Sequence, residues 1–242
     1  MIFYLGTHKP HWLRLTDVPL FISHRQLRGV KRLPRALGPW ALDSGGFSEL
    51  SMYGAWVTTA DEYIEAARRY RDEIGNLDWI APQDWMCEDS ILAKTGLTLH
   101  NHQDLTCRNF MRLRETADDL WVIPVLQGQT LMDYFIHRRM YESRGIDLDK
   151  EPVVGLGSVC RLEGTIETQR IIEHLGGLRL HGFGVKTSGL RNYAHLLASA
   201  DSMAWSMGAR YRAPMEGHTH KTCANCLEYA LAWREKIVSP QA

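Results

Sequence analysis

WALDSGGFSELSMYGAWVTTADEYIEAARRYRDEIGNLDWIAPQD, residues 40–84, is the stretch that decides the fold. It opens on one apolar run, WALDS (40–44), and closes on another, DWIAPQ (78–83), with a helical pattern between them. The helix signal starts at Thr59, whose hydroxyl can cap the first turn while Glu62 reaches back to it. Tyr63, Ala66, Ala67, Tyr70 and Ile74 then recur at the helical period, which marks one apolar face. Two strands joined through a helix lie parallel, because a tight hairpin cannot join parallel neighbours.

The alternation extends in both directions. Further strand candidates are 2–7, 20–24, 121–127, 152–158, 178–185 and 200–206, and further helix candidates are 90–116, 130–145, 165–175, 188–198 and 223–238. Eight strand candidates in 242 residues predict an α/β fold, a (β/α)8 TIM-like barrel in preference to an open doubly wound sheet. Residues 8–40 fit least well, because the first crossover is short. No repeat, low-complexity tract or linker interrupts the chain. One domain over 1–242 is expected, with 214–238 forming a small C-terminal Cys/His zinc-binding element and the last helix.

The charge balance is even, 28 Lys+Arg against 28 Asp+Glu, and 45% of the residues are hydrophobic. Long disorder is thereby excluded, as is a polybasic chain that holds nucleic acid by bulk charge alone. No apolar stretch approaches the roughly 18 residues of a membrane span, and MIFYLGTHKP at the start lacks the pattern of a signal peptide. The five cysteines, Cys87, Cys107, Cys160, Cys223 and Cys226, are an odd set without a secretion signal, so reduced thiols and a cytoplasmic location are expected, with no membrane partner. Cys160 follows a strand candidate but has no neighbour in sequence that would activate it.

In such a barrel the chemistry gathers at the C-terminal ends of the strands. Asp43, Asp84, Gln127, Ser158, Lys186 and Asp201 all stand at or just after an apolar run. The bland alternative is that they cap helices or pair locally. In Ala41-Leu42-Asp43-Ser44-Gly45-Gly46-Phe47, two glycines permit a sharp turn and a close approach, with Asp43, Ser44 and the flat Phe47 at the mouth. In Leu126-Gln127-Gly128 the side-chain amide offers both a donor and an acceptor to the edge of a heterocycle. Gly155-Leu156-Gly157-Ser158 offers unhindered peptide groups, but neither G-x-G-x-x-G nor a P-loop occurs, so a dinucleotide or P-loop site is rejected.

Near the C-terminus, His218, His220, Cys223 and Cys226 place four nitrogen or sulfur ligands within nine residues. Such a set could complete a closed tetrahedral zinc site; the alternative is a surface turn with two free thiols. His100 and His102 point to different faces of one helix. Arg25, Arg28, Lys31, Arg32 and Arg35 precede the Asp43 strand, and Arg210 and Arg212 follow the Asp201 strand. Charge clusters are commonly solvated faces, but these flank the expected mouth, where phosphates would lie.

Taken in order over about residues 40–235, these segments resemble the tRNA-guanine transglycosylase superfamily, the queuine and archaeosine enzymes. The D-S-G-G/A-F/Y segment of that family is matched by Asp43 to Phe47, its Q-G strand by Gln127-Gly128, and its glycine strand by Gly155 to Ser158. Asp201-Ser202-Met203-Ala204-Trp205 through Ala209-Arg210 looks like the nucleophile strand of the archaeal members, and Asp84 falls where the family binds the base. The departures are Ser48 in place of a glutamine, no D-C-V-x-P-T-R context, and a zinc motif without its first cysteine or a downstream histidine. The chain is shorter than the tRNA enzymes and is most similar to the compact DpdA-type deazapurine DNA-modification proteins of phages and bacterial modification clusters.

The resemblance implies a base-exchange transglycosylase (a pentosyltransferase) that replaces guanine in DNA with a 7-deazaguanine such as 7-cyano-7-deazaguanine. It implies Asp201 as nucleophile and Asp43 as general acid/base, and a base bound by Ser44, Phe47, Asp84, Gln127, Gly155, Gly157, Ser158 and His181. It further implies a structural Zn2+ on His218, His220, Cys223 and Cys226, and nucleic acid held by Arg25, Arg28, Arg32, Arg210 and Arg212. A homodimer is compatible with it, as is a location in the host cytoplasm if the gene is carried by a phage. The runner-up substrate is tRNA. From other classes, a zinc-containing hydrolase or lyase barrel and a non-catalytic nucleic-acid-binding barrel stay open.

Overall fold

The computed structural model describes residues 1–159 and 165–239. Cys160 lies outside the described residues. Among the described residues, eight strands form one parallel sheet: β1 (Ile2–Thr7), β2 (Leu20–Ser23), β3 (Trp40–Asp43), β4 (Leu77–Ile80), β5 (Val125–Leu126), β6 (Val154–Leu156), β7 (Leu180–Gly182) and β8 (Ser199–Ser202). Their order is β4-β3-β2-β1-β8-β7-β6-β5. The two edges meet through a parallel bridge between Ile80 and Val122, where the Ile80 N–H donates to the Trp121 carbonyl at 2.9 Å. The sheet is thus curled as in a TIM-like (β/α)8 barrel. β5 is only two residues long because Pro124, inside the expected strand 121–127, has no N–H to give the ladder.

Side-chain alternation along the strands separates two cores. Phe3, Leu5, Leu20, Ile22, Trp40, Leu42, Leu156 and Leu180 face outward into the layer beneath the helices. Tyr4, Phe21, Ala41, Trp79, Ala81 and Ile123 form a separate cluster in the barrel interior, with Phe183 packed against it. His181 joins these rings, 4.7 Å from Trp79 and 4.8 Å from Phe183 between centroids. The interior is therefore plugged by aromatic rings, which form a floor for whatever binds above.

The helices are α1 (His24–Leu27), α2 (Gly46–Tyr53), α3 (Ala60–Ile74), α4 (Asp89–Thr95), α5 (Leu99–Thr116), α6 (Leu131–Glu142), α7 (Thr165–His174), α8 (Thr187–Tyr193), α9 (Ala204–Arg210) and α10 (Leu227–Val238). Thr59 and Glu62 form the expected capping box at α3. The single helix expected over 90–116 is two, because Gly96 ends α4 in a left-handed conformation, φ 69°. Residues 8–19 carry only a 3-10 turn, Pro10–Arg14, which is why the first crossover fits the repeat poorly. The last strand is shorter than 200–206. It stops at Ser202, whose hydroxyl accepts from the Ala204 N–H at 3.2 Å as α9 begins. Trp205, inside the expected strand, is instead a helix residue buried against Trp12 at 5.3 Å. No described helix is long and apolar enough to cross a membrane.

Candidate functional site

Above the aromatic floor, the C-terminal ends of the strands surround a cleft of about 950 Å3. Asp43, Phe47, Asp84, Gln127, Gly157, Ser158, Lys186 and Asp201 all line it. Each of the carboxylates arrives on a different stretch of chain: Asp43 ends β3, Asp84 follows β4, and Asp201 stands one residue before the end of β8.

Asp201 is 5% exposed. Its Oδ1 accepts from the Gly184 N–H at 2.9 Å and lies 3.4 Å from His181 Nε2, while its Oδ2 makes no hydrogen bond among the described residues. One oxygen is thus fixed and the other is available. Burial raises the Asp43 carboxyl above the usual carboxylate range against hydrogen bonds from Ser23 and the Gly45 N–H, and the charge of Asp201 adds to the rise. Asp84 is pushed up to about 7, chiefly by burial and then by the charge of Asp43. These shifts place the carboxyls within each other's field in a half-dry site, the setting in which acid and base roles separate.

A hydrogen-bonded chain holds one side of the cleft. Gln127 Nε2 donates to Asp84 Oδ2 at 2.5 Å, and Gln127 Oε1 accepts from the Ser158 hydroxyl at 2.7 Å. Ser158 Oγ in turn accepts from the Cys87 N–H at 3.0 Å. To make both contacts Ser158 adopts φ 60°, a left-handed conformation that costs roughly 1–3 kcal/mol in a non-glycine residue. Behind Gln127, His137 Nδ1 accepts its backbone N–H at 2.8 Å, and Gln103 donates to its carbonyl at 2.8 Å. Burial lowers His137 to about 3, so it stays neutral and able to accept. Sequence spacing does not reveal His137 or Gln103, since both come from helices, α6 and α5.

Several expected contacts fall elsewhere. Ser44 is 1% exposed and does not line the cleft, because Gly45 turns away at φ 86° before α2. Gly155 lies too deep to meet a ligand, packed so closely that a Cβ there would stand 2.5 Å from the Phe183 ring. At Gly157 the N–H bonds to the Leu126 carbonyl and the carbonyl accepts from Tyr134, and a Cβ would stand 2.3 Å from Gln127 Nε2. This glycine makes room for the glutamine amide rather than offering free peptide groups. His181 is fully buried in the floor beneath Asp201, with Nδ1 2.8 Å from Ser199 Oγ. Phe183, two residues further along the same alternation, lines the cleft instead.

The basic segment also departs from expectation. Arg25 lies over α2, its Cγ against Gly45 and its Nη2 3.6 Å from Met52 Sδ, while Arg28 is 3.8 Å from Glu49. The chain then descends the outer wall: Arg69 of α3 binds the Val30 and Lys31 carbonyls, and Arg35 donates to the Asp72 carbonyl near the far end of α3. Arg32 is exposed on that wall, and none of Arg25, Arg28, Arg32, Arg210 and Arg212 lines the cleft. The basic residues that line the cleft are His8 and Lys186, and Gln26 and the acidic Glu88 line it too. Of these only Lys186 stands out in sequence as a strand-end residue.

The Cys/His segment folds as a compact set. Ligand atoms of His218, His220, Cys223 and Cys226 all lie within 4.8 Å of one another, and these residues could hold a metal ion. His218 Nδ1 is 3.3 Å from His220 Nε2 and 3.7 Å from each sulfur. Bonds of about 2.0–2.3 Å at tetrahedral angles give ligand separations near these values, so the donor set fits zinc. His218 Nε2 meets Glu228 Oε2 at 3.0 Å, the outer carboxylate that commonly orients a ligating histidine. None of the four lines the cleft. The loop is tied to α9 by Ser206 Oγ, which donates to the Ala224 carbonyl at 2.8 Å, and by Thr222 Oγ1, which donates to the Ala209 carbonyl at 2.9 Å.

Among protein families, the DpdA family, described as DeoxyPurine in DNA protein A, matches residues 1–242. The chain belongs to the DpdA family. Membership in DpdA points to a role in deazapurine DNA modification, to a transferase-type enzyme and to DNA as its substrate. None of the curated proteins matches the sequence. Among solved structures, the chain is similar to a 4-hydroxy-2-oxoglutarate aldolase/2-deydro-3-deoxyphosphogluconate aldolase from TTHB1, with TM-score 0.42 and 11% identity over 78% of this chain and 72% of that one. It is also similar to a thiamine phosphate pyrophosphorylase from Pyrococcus furiosus, with TM-score 0.36 and 11% identity over 98% and 96%. Scores this low bear on no functional reading, and DpdA membership stands on the sequence.

The raised Asp84 carboxyl has a measurable consequence. Its folded value of about 7 exceeds the unfolded value, so the cost of ionising it is absent below about pH 4 and accumulates as pH rises to about 7. Asp84→Asn, which cannot ionise, is expected to be more stable than wild type at pH 8, by about 1–2 kcal/mol after screening at a half-buried site. The gain should vanish near pH 4. Thermal melts across pH 4–8 check this, and a variant less stable than wild type at pH 8 would refute the direction of the shift.

Proposed function

We propose that this chain exchanges guanine in DNA for a 7-deazaguanine derivative, such as 7-cyano-7-deazaguanine, through a covalent aspartyl-nucleotide intermediate. The observation that carries the reading is the meeting of Asp43, Asp84 and Asp201 in one cleft at the strand ends, two of them with raised carboxyl values.

The chemistry must break an N-glycosidic bond and keep the stereochemistry of the sugar, which two successive displacements achieve. Asp201 attacks C1′ of the target nucleotide, forming an ester as the guanine leaves. Asp43, whose carboxyl burial and the Asp201 charge raise above the usual carboxylate range, delivers a proton to the departing base. The incoming 7-deazaguanine then gives its N9 proton to Asp43 and attacks C1′, and the Asp201 carboxylate is released. Asp84 accepts from the N–H groups on the guanine edge. Gln127 still has its second amide N–H to offer, because its first is used on Asp84 and its oxygen on Ser158. Phe47 and Phe183 flank the base plane. Lys186 and His8 stand where phosphates approach, and the target nucleotide must leave the duplex stack to reach the floor.

The His2Cys2 set would hold a structural zinc that braces α9, the helix that follows the Asp201 strand, within one catalytic unit over residues 1–242. The experiment is incorporation: the protein is incubated with radiolabelled guanine or 7-cyano-7-deazaguanine and either duplex DNA or tRNA. Label should enter DNA alone. Label in tRNA alone would move the substrate to RNA, and label in neither polymer, with folded protein, would overturn the exchange reading.

A further inference from the structure

α9 forms one rim of the cleft. Met203 and Met207 line the cavity, and Tyr211 continues the same face one turn, about 6 Å, beyond Met207. Exposure climbs along this face from 38% at Met203 through 55% at Met207 to 83% at Tyr211, the most exposed large apolar side chain among the described residues. Arg210 and Arg212 bracket the tyrosine, both exposed, and neither forms an ion pair among the described residues. Isolated exposed apolar residues are ordinary. This one lies at the end of an apolar ridge that starts inside the cleft and ends between two unpaired cations.

The ridge is firmly mounted. Trp205 is buried and donates from Nε1 to the Gly6 carbonyl at 2.9 Å, and the Cys/His loop holds α9 at Ser206 and Ala209. A rigid helix with an unpacked aromatic at its outer end suits a partner that supplies flat apolar faces between phosphates.

We propose that α9 is the surface that meets duplex DNA, with Tyr211 entering the base stack at the gap left by the target nucleotide and Arg210 and Arg212 on the flanking phosphates. The proposal rests on the DNA-exchange reading and adds to it the residue that keeps the duplex open. Drawing a nucleotide out of a duplex costs stacking and pairing energy, and an aromatic side chain seated in the gap offsets part of that cost.

The test compares affinity for a paired duplex and for one of its single strands in wild type, Tyr211→Ala and Tyr211→Trp. An exposed side chain can be replaced without disturbing the core, and an unchanged melting temperature confirms it. Tyr211→Ala should bind the duplex about tenfold more weakly and the single strand within about twofold of wild type, while Tyr211→Trp keeps duplex affinity. Equal losses on both DNAs, or no loss on the duplex, would overturn the role of Tyr211 alone. Wild type that binds neither DNA would overturn the DNA reading along with it.

Discussion

Asp201→Asn is expected to abolish base exchange, by roughly four orders of magnitude or more, while the protein stays folded. An asparagine at this position still presents an oxygen to the Gly184 N–H, so the hydrogen bond that fixes Asp201 Oδ1 at 2.9 Å survives. What is lost is the anionic oxygen that would bond to C1′. The substitution also removes a negative charge that raises Asp43, so the Asp43 carboxyl should move back toward the usual range. Two measurements read the result. One is the rate of label incorporation into DNA. The other is a denaturing gel of an acid-quenched reaction, on which wild type should show a protein–DNA adduct that Asp201→Asn does not form. Asp43→Asn should slow exchange by about 100-fold or more, the usual contribution of a positioned acid/base group. An adduct that persists in Asp201→Asn and disappears in Asp43→Asn would exchange the two roles.

Removing the metal is expected to have the largest effect on stability. Four candidate ligands within one short loop would make a closed site around an ion, and such sites contribute folding energy directly. The loop is fastened to α9 on one side and leads into α10 on the other, whose Trp233 packs near Phe3 of β1 at 5.9 Å. Loss of the ion therefore loosens the seam between the first and last parts of the barrel. Purified protein should carry about one zinc per chain by elemental analysis, and Cys223→Ala or prolonged chelation should lower Tm by about 10 °C. Exchange activity should fall in step with the folded fraction, because no ligand touches the cleft. Protein that contains no metal, or that loses it without a change in Tm, would refute the structural role.

The barrel was legible because its βαβ alternation and its capping box at Thr59 are local signals, and local signals survive in a single sequence. The cleft residues Asp43, Asp84, Gln127, Ser158 and Asp201 could be found for a related reason: a polar group at the end of an apolar run is visible without coordinates. Depth was not visible. His181 in β7 and Phe183 just after it alternate to the same side, yet only the second reaches the cleft, and Gly155 in β6 and Gly157 just after it differ in the same way. Nor could spacing along the chain show that residues 28–35 run down the outer wall, a path set by long-range contacts with Arg69 and Asp72. His8 was missed because nothing in MIFYLGTHKP tells the end of β1 from an ordinary turn; its closest partner, Asn225 Oδ1 at 2.5 Å, is 217 residues away.

The absence of a side chain at position 157 ties two decisions into one. The Gln127 amide, held by Asp84 and Ser158, fills the space that a Cβ at 157 would take, so a larger residue there would push that amide off its partners. A redesign of this cleft cannot treat the glutamine as an interchangeable group on a neutral scaffold. Shortening it opens a void against the bare backbone, and filling that void from the other strand closes the way back.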